Sequence, residues 1–121
     1  MFCNAGHPPP WHIAPGRAPA EIPCKPGLPL GIMPDAAHAD YQAVLVPGDG
    51  LVVITDGLPE MMDTAGAFYT MARVAADIFD MSGQSAREIA TGLAGRVLAY
   101  AAGAAQADDV TALAVRVGVA G

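Results

Sequence analysis

Two places in this 121-residue chain set carboxylates where they could do chemistry. Asp56 directly follows the apolar run Leu51 to Thr55 and precedes Gly57, and the pair Asp108-Asp109 directly precedes an apolar stretch that opens at Val110. A rigid strand end can aim a charged group into a cleft without burying it unpaired. Hard divalent cations such as Mg²⁺ and Mn²⁺ take oxygen ligands, one or two carboxylates with water completing the shell, so two such strand ends brought together would hold a metal. The plainer alternative is that Asp56 caps the turn after it and Asp108-Asp109 is a solvated loop pair. Spacing alone leaves both open.

The elements that must position these residues change character along the chain. All eleven prolines fall at or before Pro59, where they mark turns and edges, because a proline inside a central strand deletes a ladder bond. Tyr41 to Val46, the turn Pro47-Gly48-Asp49-Gly50, and Leu51 to Thr55 read as a β-hairpin, with β-branched residues in the arms and two glycines in the turn. Met71, Val74, Ala75, Ile78 and Phe79 recur on one helical face that would cover a sheet. A second helix opens at the capping box Ser85-x-x-Glu88, carries Ile89, Leu93 and Val97 along one stripe, and can stop at Gly103. Gly92 and Gly95 weaken that helix by roughly 1 kcal/mol each relative to alanine. Close approach to a neighbour would compensate, and tolerated weak positions explain them equally well. Val110 to Val117 reads as a strand apolar on both sides, Leu113, Val115 and Val117 on one and Ala112 and Ala114 on the other, which suits a central position.

Composition bounds the function. With 53% hydrophobic residues and short apolar runs, the chain is a globular domain and carries no stretch near the roughly 20 residues of a membrane span. Six Lys and Arg against twelve Asp and Glu, a net charge of -6, leave no basic surface for nucleic acid or anionic lipid. Partners should be cations or proteins, and the compartment cytoplasmic. Cys3 and Cys24 follow no secretory signal pattern and read as reduced thiols. His7, beside three prolines, reads as a turn residue, Trp11 and Tyr41 as cross-strand packing, and Arg17 and Arg73 lack any context that would mark a phosphate site.

Taken in order, Asn4-Ala5-Gly6-His7-Pro8-Pro9-Pro10, Gly27-Leu28-Pro29-Leu30-Gly31, Pro47-Gly48-Asp49 leading into Ile54-Thr55-Asp56-Gly57, and Gln106-Ala107-Asp108-Asp109-Val110-Thr111 closely resemble the C-terminal portion of the PPM-type (protein phosphatase 2C-like) serine/threonine phosphatases. The spacing resembles the bacterial branch that includes the sporulation and stress-response (SpoIIE/RsbU-like) enzymes. That resemblance implies an α+β fold, an antiparallel β-sandwich flanked by helices, of which residues 1–121 would form a single partial domain. It implies a centre of two Mn²⁺ or Mg²⁺ ions with Asp56 and Asp108 as metal ligands, and with Asp109 and Gly57 supporting them. In the family a water activated by the two cations is the nucleophile, so no side chain is assigned as catalytic. The implied substrate is phosphoserine or phosphothreonine on a regulatory protein, of the anti-sigma-factor antagonist type in the partner-switching members. A homodimer would be one way to cover an exposed sheet edge.

The departures from the family pattern define the alternative. No Gly-Asp-x-x-Gly-x-Gly stretch occurs, so the N-terminal metal element of the family is absent, and Phe2-Cys3-Asn4 reads as the end of a strand whose earlier residues are missing. Two acidic strand ends without a third carboxylate bind metal poorly. On this reading the chain is a catalytically inactive phosphatase remnant acting as a protein-binding module. Leu58-Pro59-Glu60-Met61 and Ala67-Phe68-Tyr69 also stand where relatives commonly have Val-Thr-Glu-Ala and a Phe-Gly element. Met61-Met62 reads as adaptable packing.

Overall fold

The computed structural model describes residues 1–106 and 108–118, so Ala107 of the Gln106 to Thr111 motif and the last three residues of the expected domain lie outside the described residues. The elements run β1 (Trp11–Ile13), β2 (Ala20–Glu21), β3 (Gly50–Ile54), α1 (Met71–Met81), α2 (Ala86–Ala101) and β4 (Ala112–Arg116). The strands form one antiparallel sheet in the order β2-β1-β3-β4. The α+β class and the antiparallel sheet with helices agree with expectation. Of the expected sandwich, the described residues form one sheet layer.

β3 is central, and its alternation decides which face is covered. Val52 and Ile54 point inward with Trp11 and Ile13 of β1, and α1 and α2 bring Val74, Ile78, Met81, Ile89, Leu93 and Val97 against them to complete the core. Burying each such aliphatic side chain contributes about 1.5–3 kcal/mol. The capping box forms as read: Glu88 N–H donates to Ser85 Oγ at 3.2 Å and Ser85 N–H to the Glu88 carboxylate at 2.9 Å. These bonds hold the Glu88 carboxyl below its ordinary range. α2 stops with Ala102 as a left-handed cap and Gly103 at positive φ after it. Of the two helix glycines only Gly92 is in a close approach, since a Cβ there would stand 2.5 Å from Met81 Sδ while Gly95 faces open space.

Three expectations are corrected. The hairpin does not form: Tyr41 makes only an isolated bridge to Phe2, and residues 42–46 are not a strand. A strand has two edges, and those of β3 are taken by β1 and β4, so local β-propensity in Ala43 to Val46 is overridden. The turn itself is present, with Asp49 N–H donating to Val46 O at 2.9 Å, yet it hands the chain to β4 through Gly48 N–H to Val117 O (3.1 Å) and Val117 N–H to Asp49 O (2.8 Å). The last strand is shorter than Val110 to Val117 and lies at the sheet edge; α2 packs on its inner face, while Leu113 and Val115 are exposed on the other. Phe79, assigned to the covered face of α1, is exposed, and Met81 is buried in its stead.

Two polar ties lock the frame. Arg116 donates to Gly48 O at 2.8 Å, to Gln84 O at 2.9 Å and to Ser82 O, binding β4 to the turn before β3 and to the α1–α2 connection. Asp49, buried at the turn, lies 2.9 Å from His12 Nε2 and accepts from Val46 N–H. The His12 bond first, then the Val46 N–H, hold the Asp49 carboxyl below its ordinary value. A carboxyl depressed in the folded state contributes stability that is present above its unfolded pKa and is lost as pH falls through the folded one. Asp49→Asn should therefore lower the urea midpoint at pH 7, and the gap to wild type should close below about pH 4. Equal midpoints at pH 7 would show that the tie contributes nothing.

Candidate metal centre

The β3–β4 ladder ends at Ile54 opposite Ala112, but the pairing continues past it. Thr55 N–H donates to Thr111 O at 3.1 Å. The Thr55 hydroxyl donates to Asp109 O at 2.8 Å and accepts from Thr111 N–H at 3.0 Å. The segment just after β3 is thereby clamped to the segment just before β4, and Asp56 and Asp108 lie one residue beyond the clamp on either side. Gly57 is buried in this junction: a Cβ would stand 2.7 Å from the Asp109 carbonyl carbon, closer still to its oxygen, and 3.4 Å from Asp108 O. The missing side chain is what lets the two segments touch.

The structure thus brings together the segments that carry Asp56, Gly57, Asp108 and Asp109. All three carboxylates are exposed. Asp108 Oδ1 accepts from Asp109 N–H at 2.7 Å and its carbonyl accepts from Gln106 Nε2 at 2.7 Å, which orients the Asp108 loop. Asp109 supports the junction through its carbonyl oxygen, the atom that Thr55 bonds. Among the described residues no three His, Cys, Asp or Glu side chains group closely enough to hold a metal ion. The exposed carboxylates that these segments carry are hard oxygen donors, of the kind that suits a divalent cation keeping most of its water.

A cavity of about 100 Å³ opens beside this pair, lined by Gly57, Glu60, Met61, Met62, Phe68 and Asp108. Glu60 N–H donates to Asp56 O at 3.1 Å, so Glu60 lies one turn after Asp56. The outer wall is a small hairpin-like loop. Met62 bridges Phe68, Tyr69 N–H donates to Met61 O at 2.7 Å, and Thr70 N–H donates to Pro59 O at 2.8 Å. Helix side chains hold that loop from behind. The Tyr100 hydroxyl reaches Ala67 O at 3.0 Å and Phe68 O at 3.2 Å, and the Tyr69 and Tyr100 rings meet edge to face at 5.0 Å. The Tyr69 hydroxyl donates to Asp77, which Arg96 binds at 2.7 Å while also binding Asp80 at 2.7 Å. Burial, then Asp77, push the Tyr69 hydroxyl up to about 12, so it remains a donor at neutral pH.

Thr55, Glu60, Met62, Phe68 and Tyr100 are the residues that sequence reasoning did not place at the site. The available signals were a hydroxyl at a strand end, a carboxylate one turn after Asp56, and apolar residues in a loop otherwise rich in Gly, Ala and Asp. Arg73, weighed above for phosphate, lies with its guanidinium 4.7 Å from the Tyr100 ring centroid. His7 is a turn residue as read, its N–H donating to Asn4 Oδ1 at 2.8 Å. Cys3 and Cys24 are both free thiols. Gly57→Ala should overpack the junction and cost about 1–3 kcal/mol, read from the urea midpoint. An unchanged midpoint would mean that the Asp108–Asp109 loop yields freely.

Known proteins share this arrangement of sheet and helices. The family model for stage II sporulation protein E (SpoIIE) matches residues 1–118. No curated protein matches the chain. Among solved structures, the SiaA-PP2C domain of Pseudomonas aeruginosa superposes with a TM-score of 0.74 at 21% identity, over 93% of this chain and 44% of that one. The RsbU and RsbW domains of Rv1364c from Mycobacterium tuberculosis give 0.70 at 26% identity, over 94% and 31%. The phosphatase domain of the cell fate determinant SpoIIE from Bacillus subtilis, presoaked with Mn, gives 0.63 at 20% identity, over 94% and 48%. The chain spans less than half the length of each of these solved chains. Matched over nearly its whole length and sharing the fold of PP2C-type phosphatase domains, the chain belongs to the SpoIIE family.

Proposed function

We propose that this chain is part of a metal-dependent phosphoserine/phosphothreonine phosphatase domain acting on a regulatory protein, with Asp56 and Asp108 as cation ligands. The observation that carries this reading is the junction of the two strand ends, where Gly57 and the Thr55 hydroxyl bring the segments bearing both carboxylates into contact. Asp109 and Gly57 act on the ligands through the backbone, by holding the Asp108 loop in place. Divalent cations bound there, Mn²⁺ or Mg²⁺, would supply positive charge for the phosphoryl oxygens and acidify a water. The chain's own task is to fix the ligand carboxylates on strand ends and to present a cavity beside them.

Two observations support the reading of a partial domain. The matched solved chains are about twice as long or longer. The outer face of the sheet is apolar at Leu51, Val53, Leu113 and Val115, as the inner layer of a sandwich requires. A second reading, a binding module without turnover, is favoured by the lack of a third carboxylate in the cluster among the described residues. Among the described residues no helix is long and apolar enough to cross a membrane.

Hydrolysis of a phosphothreonine peptide should require millimolar Mn²⁺. Asp56→Asn should lower it by ~100-fold or more, the scale for losing one group that stabilises transition-state charge. Mn²⁺-dependent turnover that survives Asp56→Asn would sink the ligand assignment. A folded sample without turnover would favour the binding module.

A further inference from the structure

We propose that the cavity beside Asp108 reads the substrate by taking one aliphatic side chain next to the phosphorylated residue. This rests on the phosphatase reading above and adds a specificity element to it. One wall of the cavity is Gly57 and Asp108, at the proposed cation site itself, and the other is Met61, Met62 and Phe68. A polypeptide that delivers a phosphate to the carboxylate pair must therefore pass its neighbouring residue over a mainly apolar hollow. Its volume of about 100 Å³ is below the ~150 Å³ of an apolar cavity that takes benzene, which suits one aliphatic side chain. Thioether side chains adapt to branched and unbranched occupants alike.

Exposure and rigidity both point the same way. Phe68 is 55% exposed at the cavity rim and stands outside the buried core of helices and sheet. Its backbone, by contrast, is fixed by the bridge to Met62 and by the Tyr100 hydroxyl at 3.2 Å. A loop held by its backbone with an apolar side chain left free is preorganised to bind, because little further ordering is needed when a ligand arrives. Glu60 and Asp108 at the mouth disfavour an acidic neighbour, so the favoured flanking residue is aliphatic and uncharged.

The test uses two peptides of equal length, phosphothreonine flanked on both sides by leucine or on both sides by glycine, each with a phosphonate in place of the ester so that nothing turns over. Titration calorimetry with Mn²⁺ should show the leucine peptide binding roughly tenfold tighter or more. Phe68→Ala, at an exposed position outside the core, should erase that preference, whereas Val44→Ala, 81% exposed and outside the cavity, should keep it. Equal binding of the two peptides, a preference that survives Phe68→Ala, or no binding to a folded chain each overturns the proposal. The same peptides with unmodified threonine separate the two claims. A leucine preference that gains nothing from the phosphonate supports the cavity and overturns the phosphatase reading, while phosphonate-dependent binding without a leucine preference does the reverse.

Discussion

The pairing of β3 with β4 is the constraint on which the rest of the structure depends. It joins residues far apart in sequence through five antiparallel partners, Gly50 opposite Arg116 through Ile54 opposite Ala112. Because side chains alternate along a strand, a slip of one residue would turn Val52 and Ile54 out of the core and move Asp56 off the Asp108 loop together. Core and site are thus set by the same register. The Thr55 hydroxyl sharpens that register, since it satisfies a donor and an acceptor on the opposite segment where the regular ladder has ended.

Behind the sheet the two helices serve the site as well as the core. Val74, Ile78, Leu93 and Val97 are fully buried and fix how α1 and α2 lie on β3 and β4. The polar face of the same helices then reaches round to the loop over the cavity, Tyr100 directly and Asp77, held by Arg96, through the Tyr69 hydroxyl of that loop. The Arg96 pair with Asp77 and Asp80 is partly open to solvent and contributes little to stability taken alone. Its effect is positional: it holds Asp77 where the Tyr69 hydroxyl can donate, and so limits how far the loop can swing from the carboxylates.

The sequence was legible wherever local chemistry decides the outcome. Ser85 and Glu88 sit three residues apart and cap α2 without help from anything distant, and the periodicity of Val74 and Ile78 needs only a surface to face. The carboxylates at strand ends were legible for the same reason, being marked by an apolar run on one side and glycine or an acidic neighbour on the other. What failed was pairing. Ala43 to Val46 has the composition of a strand, yet composition cannot say that both edges of β3 are already occupied by segments distant in the chain. β4 failed in a different way: its two apolar faces do report a preference for burial, but α2 meets only one of them. The cavity wall was invisible because Met62 and Phe68 are brought to Asp108 by a bridge and a tyrosine hydroxyl from another helix.

The exposure of the carboxylates sets how cation binding and folding are linked. Buried, two adjacent aspartates without a cation would repel strongly in low dielectric and the junction would need metal to close. In water the same repulsion is only about 1 kcal/mol at 4 Å, and both Asp56 and Asp108 face solvent. The junction is instead held by neutral contacts, the Thr55 hydroxyl and the bare Gly57 backbone against Asp109, none of which involves a carboxylate oxygen. Under the proposed ligand assignment folding would precede binding, and a cation would stabilise the chain by mass action, about 2.7 kcal/mol at a hundredfold excess over its dissociation constant. On that assignment affinity would depend on how many further oxygens the coordination shell gathers, and not on any rearrangement of the strand ends themselves.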